Sequence, residues 1–134
     1  MKFSIGFIFF SMLFLHIVDD YYLQGILAKM KQKKWWVENI ENFNKYKHDY
    51  IIALVEHAYS WSFMIHIPWV IYSLLYNKTQ IIVIVSIIIN TIIHCIVDNE
   101  KANKFTLNLV QDQLIHISQI IITCISLSLL LEVI

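Results

Sequence analysis

Four apolar segments, each about 20 residues or longer, dominate the sequence and limit what the chain can fold into. They run over residues 3–23, 50–76, 79–98 and 109–134. A helix that crosses a bilayer needs about 20 mainly apolar residues. The third segment is rich in isoleucine and valine, but its length favours a membrane helix over a strand, since lipid requires backbone hydrogen bonds within the segment. We therefore predict an all-α integral membrane protein, a four-helix bundle that forms a single transmembrane domain over residues 1–134.

The composition agrees with a membrane protein and offers no surface for nucleic acid. Hydrophobic residues make up 58% of the chain, and the mean hydropathy is +0.62. The formal net charge is zero, and every basic residue is a lysine, so the sequence has no arginine-rich face of the kind that binds nucleic acid. Both cysteines, Cys95 and Cys124, lie inside apolar segments, where a disulfide framework is not expected.

The distribution of lysines predicts how the chain is oriented in the membrane. Six lysines fall between the first and second segments, and Lys101 and Lys104 fall between the third and fourth. Only Lys2 and Lys78 lie on the other side. Because positively charged loops stay in the cytoplasm, we predict that both lysine-bearing loops are cytoplasmic and that both termini are outside.

The first lysine-rich loop, residues 24–49, carries features of an interfacial segment. Trp35 and Trp36 are interleaved with its lysines, and Trp36, Ile40 and Phe43 follow a helical spacing. Tryptophan favours the membrane interface, and lysine can reach lipid phosphates. We predict an amphipathic helix in the headgroup layer, with a solvated connector as the alternative.

Histidines and carboxylates recur at the cytoplasmic ends of the apolar segments. The stretch "HIVDD" ends the first segment, and "HCIVD" ends the third. On an α-helix residues four apart share a face, so His16 stacks with Asp20, and His94 with Asp98. Asp112 and His116 form the same pair near the start of the fourth segment, and His57 lies near the start of the second. Four antiparallel helices would bring these side chains to one level.

Metal binding is the chemistry that best suits this set. Imidazole and carboxylate on facing helices build metal sites in helical bundles, and ligands without thiolate favour zinc, manganese or iron. We predict one or two divalent ions. The predicted ligands are His16, Asp20, His57, His94, Asp98, Asp112 and His116. The alternatives are a proton relay and a polar latch of interhelical hydrogen bonds.

The order of these residues resembles a known family. His16, Asp20, Tyr21 and Gln24 are followed by Lys29, "EHAYSW", His94, Asp98 and Lys101, and then Asp112, Gln113 and His116. This order is similar to that of the phage and bacterial membrane proteins of domain-of-unknown-function family 3307. The resemblance implies a compact multi-span protein in the inner membrane of a bacterium or phage-infected cell, with no established activity. A looser likeness is to bacterial membrane-bound metal-dependent hydrolases.

Together these features predict a metal-dependent hydrolase that acts on an ester or phosphoester at the cytoplasmic leaflet. A lipid or lipid-linked headgroup would be the substrate, and Glu56 or Asp19 would be the catalytic base. The predicted substrate-binding residues are Lys29, Lys101, Gln24 and Gln113. The alternative is a non-enzymatic protein that binds another membrane protein, or a second copy of itself, with the polar set as a structural latch.

Overall fold

The computed structural model describes residues 4–132, and within that range it contains helices and no strand. The all-α prediction is therefore confirmed. Lys2, and the predicted outer ends of the first and fourth spans at Phe3 and Ile134, lie outside the described residues.

Four long helices and three short ones make up the described part of the chain. In order they are α1 (Ile5–Val18), α2 (Leu27–Met30), α3 (Lys33–Asn39), α4 (Phe43–Tyr46), α5 (Asp49–Leu75), α6 (Gln80–Ala102) and α7 (Leu109–Leu130). A π-helical turn, Asp19–Leu23, continues α1. The helix of the third predicted span continues four residues beyond its predicted end at Asp98, and that of the fourth ends at Leu130.

Three of the helices are long and apolar enough to cross a membrane: Ile5–Leu23, Gln80–Ala102 and Leu109–Leu130. The remaining long helix, α5, has 27 residues but is less apolar. It carries four buried polar side chains, which lower its hydropathy: His57, Ser62, His66 and Ser73. A fourth membrane span therefore remains a prediction.

The long helices contact one another in cyclic order. Helix α5 packs against α1 and α6, and α7 packs against α6 and α1. The tight turn between α5 and α6 places Asn77 in the left-handed region at φ 51°, which asparagine tolerates better than most residues. A buried apolar core fills one half of this arrangement and includes Trp69, Val83 and Leu127. The other half holds polar side chains.

Large apolar side chains cover the outside of the long helices. They include Phe10 and Phe14 on α1, Ile88 and Ile92 on α6, and Ile122 on α7. Exposed apolar faces of this extent mark a contact with membrane or protein. The outer surface thus agrees with helices that face lipid.

The loop between α1 and α5 differs from the single amphipathic helix that the sequence predicts. Trp36 belongs to α3, but Ile40 has extended backbone (φ −121°, ψ 117°), and Phe43 begins α4. The three residues therefore do not share one helical face. Trp36 is nevertheless buried, and its indole N–H donates to the carbonyl of Met30 at 2.7 Å. The loop is a folded connector made of short helices.

Candidate functional site

The four long helices bring seven histidine and aspartate side chains together at one end of the molecule. We call them the His/Asp cluster: His16, Asp20, His57, His94, Asp98, Asp112 and His116. All except Asp20 are buried, and Asp20 is partly buried. They are the seven residues that the sequence predicts as metal ligands. The i,i+4 spacing has the predicted effect, since both members of each pair lie on the inward face of one helix. The pairs are His16 with Asp20, His94 with Asp98, and Asp112 with His116.

Asp98 on α6 is at the centre of the cluster. Its Oδ2 atom lies 2.9 Å from His57 Nε2 on α5 and 3.7 Å from His94 Nε2 one turn before it. The two Nε2 atoms of His57 and His94 are 3.1 Å apart. On the other side, Asp98 Oδ1 lies 3.5 Å from His116 Nε2 on α7. One carboxylate therefore faces imidazoles from three helices.

Aromatic stacking orients the histidine rings. The ring of His94 lies between Trp61 and His116, with centroid distances of 4.2 Å on both sides and interplanar angles of 22° and 23°. Within residues 4–132, the Nδ1 atoms of His94 and His116 have no hydrogen-bond partner. Both rings contact the other side chains of the cluster through their Nε2 atoms.

His16 is held by hydrogen bonds at both of its ring nitrogens. Trp61 Nε1 donates to His16 Nδ1 at 2.7 Å, and His16 Nε2 lies 3.2 Å from Gln113 Oε1. An indole N–H can only donate, so Nδ1 must accept and Nε2 of the neutral ring carries the proton. That proton faces the Gln113 oxygen. A neutral His16 in this position has no lone pair left for a metal, which suits a supporting role better than direct ligation.

The two consecutive carboxylates of the first segment both point inward, which the sequence leaves open. Asp19 accepts a hydrogen bond from Ser60 at 2.7 Å, and Asp20 accepts from Gln24 at 2.8 Å and Gln113 at 3.3 Å. Both residues lie in the π-helical turn, which Gln24 N–H closes by donating to the carbonyl of Asp19. A π-turn has more residues per turn than an α-helix, so neighbouring side chains diverge less in direction.

Asp112 completes the cluster at the start of α7. Its Oδ1 atom lies 3.3 Å from His116 Nε2, one turn further along the helix. Its other oxygen pairs with the ammonium group of Lys101 at the end of α6. Asn108 caps the first turn of α7 through a capping box with Gln111, which fixes where the helix begins and so where Asp112 points.

A second lysine, Lys31, also contacts the cluster. Its Nζ atom donates to Asp98 Oδ2 at 2.6 Å and lies 3.4 Å from Gln24 Oε1. Lys29, predicted to bind substrate, is exposed. Nothing in the spacing distinguishes Lys31 from its neighbours, because it lies in a connector without helical periodicity. Trp61, by contrast, has a signal, because it follows His57 by four residues and so shares its face.

Glu56, one of the two predicted bases, does not lie in the cluster. It is exposed on the outer face of α5, since it precedes His57 by one residue and is rotated about 100° from it. Asp19, the other predicted base, is 1% exposed, and its Oδ2 atom has no hydrogen-bond partner within residues 4–132. Of the two carboxylates, only Asp19 is positioned to act at this site.

A second polar group lies deeper between the helices, outside the cluster. Gln119 donates to Asn90 Oδ1 at 2.8 Å, and Asn90 donates to Thr123 at 3.0 Å. His66 Nδ1 lies 2.6 Å from the carbonyl oxygen of Ser62, and its Nε2 lies 2.8 Å from Ser86 Oγ. These hydrogen bonds join α5 to α6 and α6 to α7, and we interpret them as structural contacts between the helices.

Besides His57, His94 and Asp98, whose facing atoms lie 2.9–3.7 Å apart, two further groups within the cluster have the geometry of a metal site. One is Asp20, His57 and His94, and the other is His94, Asp98 and His116. In each group, one ligand atom from each residue lies within 4.8 Å of the others. Comparison with protein-family models finds no match, and comparisons with curated proteins and with solved structures find none either. The resemblance to family 3307 therefore stays a prediction from the order of the motifs.

Proposed function

We propose that the chain is a membrane-embedded, metal-dependent hydrolase that acts on an ester or phosphoester at the cytoplasmic leaflet. The observation that carries the proposal is the triangle formed by His57 Nε2, His94 Nε2 and Asp98 Oδ2, with sides of 2.9, 3.1 and 3.7 Å. A tetrahedral ion with bonds of about 2.0–2.1 Å places its ligand atoms about 3.3 Å apart. The triangle thus matches one face of such an ion, and zinc, manganese or iron would suit its ligands.

The charge of the site also supports a divalent cation. Four aspartates meet at this end of the molecule, Asp19, Asp20, Asp98 and Asp112, and two lysines pair with them, Lys31 and Lys101. Four negative and two positive groups leave a formal charge of minus two when the histidines are neutral. Burying unbalanced charge is costly. A divalent ion would offset the excess negative charge of these carboxylates.

The residues around the metal site would accept a proton, position Asp20 and bind the substrate headgroup. A divalent metal lowers the pKa of bound water to about 7 and so supplies a nucleophile at neutral pH. Asp19 has a buried oxygen without a partner within residues 4–132 and would accept the proton. His16 and Gln113 would hold Asp20 in position, and Lys101 lies at the edge of the cluster, where it could reach an anionic headgroup.

We further propose that all four long helices cross the membrane, with the cluster at the cytoplasmic side of a bacterial inner membrane. Helix α5 has 27 residues, so it is about 40 Å long and exceeds the hydrocarbon thickness of about 30 Å. Its histidines and most of its serines are buried, and side chains such as Ile52, Phe63 and Leu74 cover its outer face. The substrate would be a lipid or lipid-linked ester.

One observation favours a second function, a non-enzymatic membrane protein in which the cluster is a structural latch. A metal-bound histidine usually donates its second N–H to a carboxylate or carbonyl. His94 Nδ1 and His116 Nδ1 lack such a partner within residues 4–132. In that case the cluster would only tie the helices together, and the apolar outer faces would bind another membrane protein or a second copy.

Metal retention separates the two functions. We expect the protein, purified in detergent without chelator and then offered zinc, manganese or ferrous iron, to retain about one equivalent, since the candidate ligand groups share His94. The double substitution His57→Ala with His94→Ala removes two of the three ligands of the triangle and should abolish retention, as measured by elemental analysis. His66→Ala is the matched control, because His66 is equally buried but bonds to Ser62 and Ser86, which lie outside the cluster. Wild-type protein that holds no more metal than the double variant would leave the latch as the better explanation.

A further inference from the structure

We propose that Lys31 is a built-in competitor for the metal ion. Its ammonium group occupies Asp98 until a divalent cation replaces it, and that replacement loosens the connector α2–α3 at the end of α6. The inference rests on the proposed metal centre and adds its regulation: loading of the site and opening of the connector are one event.

The Lys31 ammonium group lies where the proposed metal ion would bind. Lys31 Nζ lies 2.6 Å from Asp98 Oδ2, the same oxygen that faces His57 Nε2 and His94 Nε2. The side chain of Lys31 is only 13% exposed, and that of Asp98 only 3%. Two cations that share one oxygen in a buried site repel each other strongly, because the surroundings screen their charges poorly. The ammonium group and a metal ion therefore exclude each other at Oδ2.

The second step is that Lys31 has no other carboxylate oxygen to move to on Asp98. Oδ1 faces His116 Nε2 at 3.5 Å on the opposite side. The nearby Gln24 oxygen, 3.4 Å from Nζ, is neutral and cannot replace a charged partner. Once displaced, the ammonium group would leave Asp98 for water at the membrane surface, as lysine side chains do, or for Asp19, whose Oδ2 atom has no hydrogen-bond partner within residues 4–132.

The third step concerns the backbone on both sides of Lys31, which is fastened to the end of α6. Asn103 Nδ2 donates to the carbonyl of Lys31 at 3.1 Å, and the N–H of Lys33 donates to Asn103 Oδ1 at 2.7 Å. Trp36 donates to the carbonyl of Met30 and closes the connector on itself. The Lys31–Asp98 pair is the charged member of this set of contacts. Its loss would leave residues 27–39 attached to α6 by the two hydrogen bonds of Asn103 and to α5 by the packing of α2.

The test compares wild-type protein with Lys31→Met, which keeps most of the length of the side chain and removes its charge. Zinc affinity is measured in detergent at fixed pH by competition with a chromophoric chelator. We expect Lys31→Met to bind zinc at least about tenfold more tightly, since the ion no longer has to displace an ammonium group from a buried pair. Lys29→Met is the matched control, because Lys29 is exposed in the same connector, and it should leave zinc affinity unchanged.

Hydrogen exchange of residues 27–39 follows the opening of the connector in the same samples. Zinc should accelerate exchange there in wild type and in Lys29→Met. In Lys31→Met, exchange should already be fast without zinc and should change little when zinc is added. A purely structural role for Lys31 would give faster exchange without tighter zinc binding.

The outcomes separate this inference from the proposed function. Zinc binding by Lys31→Met that equals or is weaker than wild-type binding overturns the competition and leaves the metal centre intact. Zinc binding by Lys31→Met alone, with none by wild type, supports it. If neither protein binds zinc better than the His57→Ala and His94→Ala double variant, both the metal centre and the competition are wrong.

Discussion

At the scale of single residues, Trp61 organises the candidate site although it is neither acid, base nor ligand. Its indole ring stacks on His94, and its N–H fixes the tautomer of His16 by donating to Nδ1. His16 in turn directs its other nitrogen toward Gln113, which donates to Asp20. One side chain on α5 therefore controls polar groups on α1, α6 and α7. Buried polar groups joined in this way depend on one another, because each lost partner leaves another group unsatisfied.

A prediction at this scale compares two fully buried tryptophans. Trp61→Phe removes the donor to His16 and leaves a buried nitrogen without its partner, which costs about 1–3 kcal/mol. Trp69→Phe is the matched control, because Trp69 is also fully buried and its N–H donates only to the sulfur of Met12, a weak acceptor. We expect the free energy of unfolding in mixed detergent micelles to fall further for Trp61→Phe. Equal losses would mean that the indole N–H of Trp61 contributes nothing beyond packing.

At the scale of helices and loops, hydrophobic length and i,i+4 spacing predict much of what the structure shows. Helix α5 begins within one residue of the predicted start of its segment, and the pair Asp112 and His116 faces inward as expected. The connector could not be predicted in this way. Its contacts depend on Asn103, which lies about 70 residues further along the chain, and no local pattern encodes a contact over that separation. The π-turn at Asp19 is likewise set by packing around it.

The connector gives a prediction of its own. Asn103→Ala removes both hydrogen bonds that fasten it to α6, each worth about 1 kcal/mol, so local opening should become roughly ten to thirty times more frequent. Tryptic cleavage after Lys33 and Lys34 should accelerate accordingly while the overall helix content stays the same. Asn44→Ala, an exposed asparagine in the same connector, should cleave at the wild-type rate. Identical rates for the two variants would show that Asn103 does not hold the connector.

At the scale of the whole molecule, the four long helices and the lysines make one consistent arrangement in a membrane. Lys31 and Lys101 lie at the end that holds the His/Asp cluster, whereas Lys78 lies at the other end, where it pairs with Glu132. An apolar core occupies the half between them, around Trp69 and Val83. The polar site thus lies at one end of the molecule, and in the proposed membrane arrangement this suits a site that receives its substrate from one leaflet better than a path across the bilayer.

The membrane arrangement is tested by two single cysteines at opposite ends of α5. In a background where Cys95 and Cys124 are replaced by serine, we place one cysteine at Asn44 and another at Asn77, both of which are exposed. With the lysine-rich connector in the cytoplasm, an impermeant maleimide added to intact spheroplasts should label Asn77→Cys. Asn44→Cys should react only after the membrane is opened. Labelling in the reverse order would overturn the orientation, and labelling of both from one side would show that α5 does not cross the membrane. In that last case both ends of α5 would lie on the same side of the membrane as the connector, and the cluster would not lie between four membrane-spanning helices.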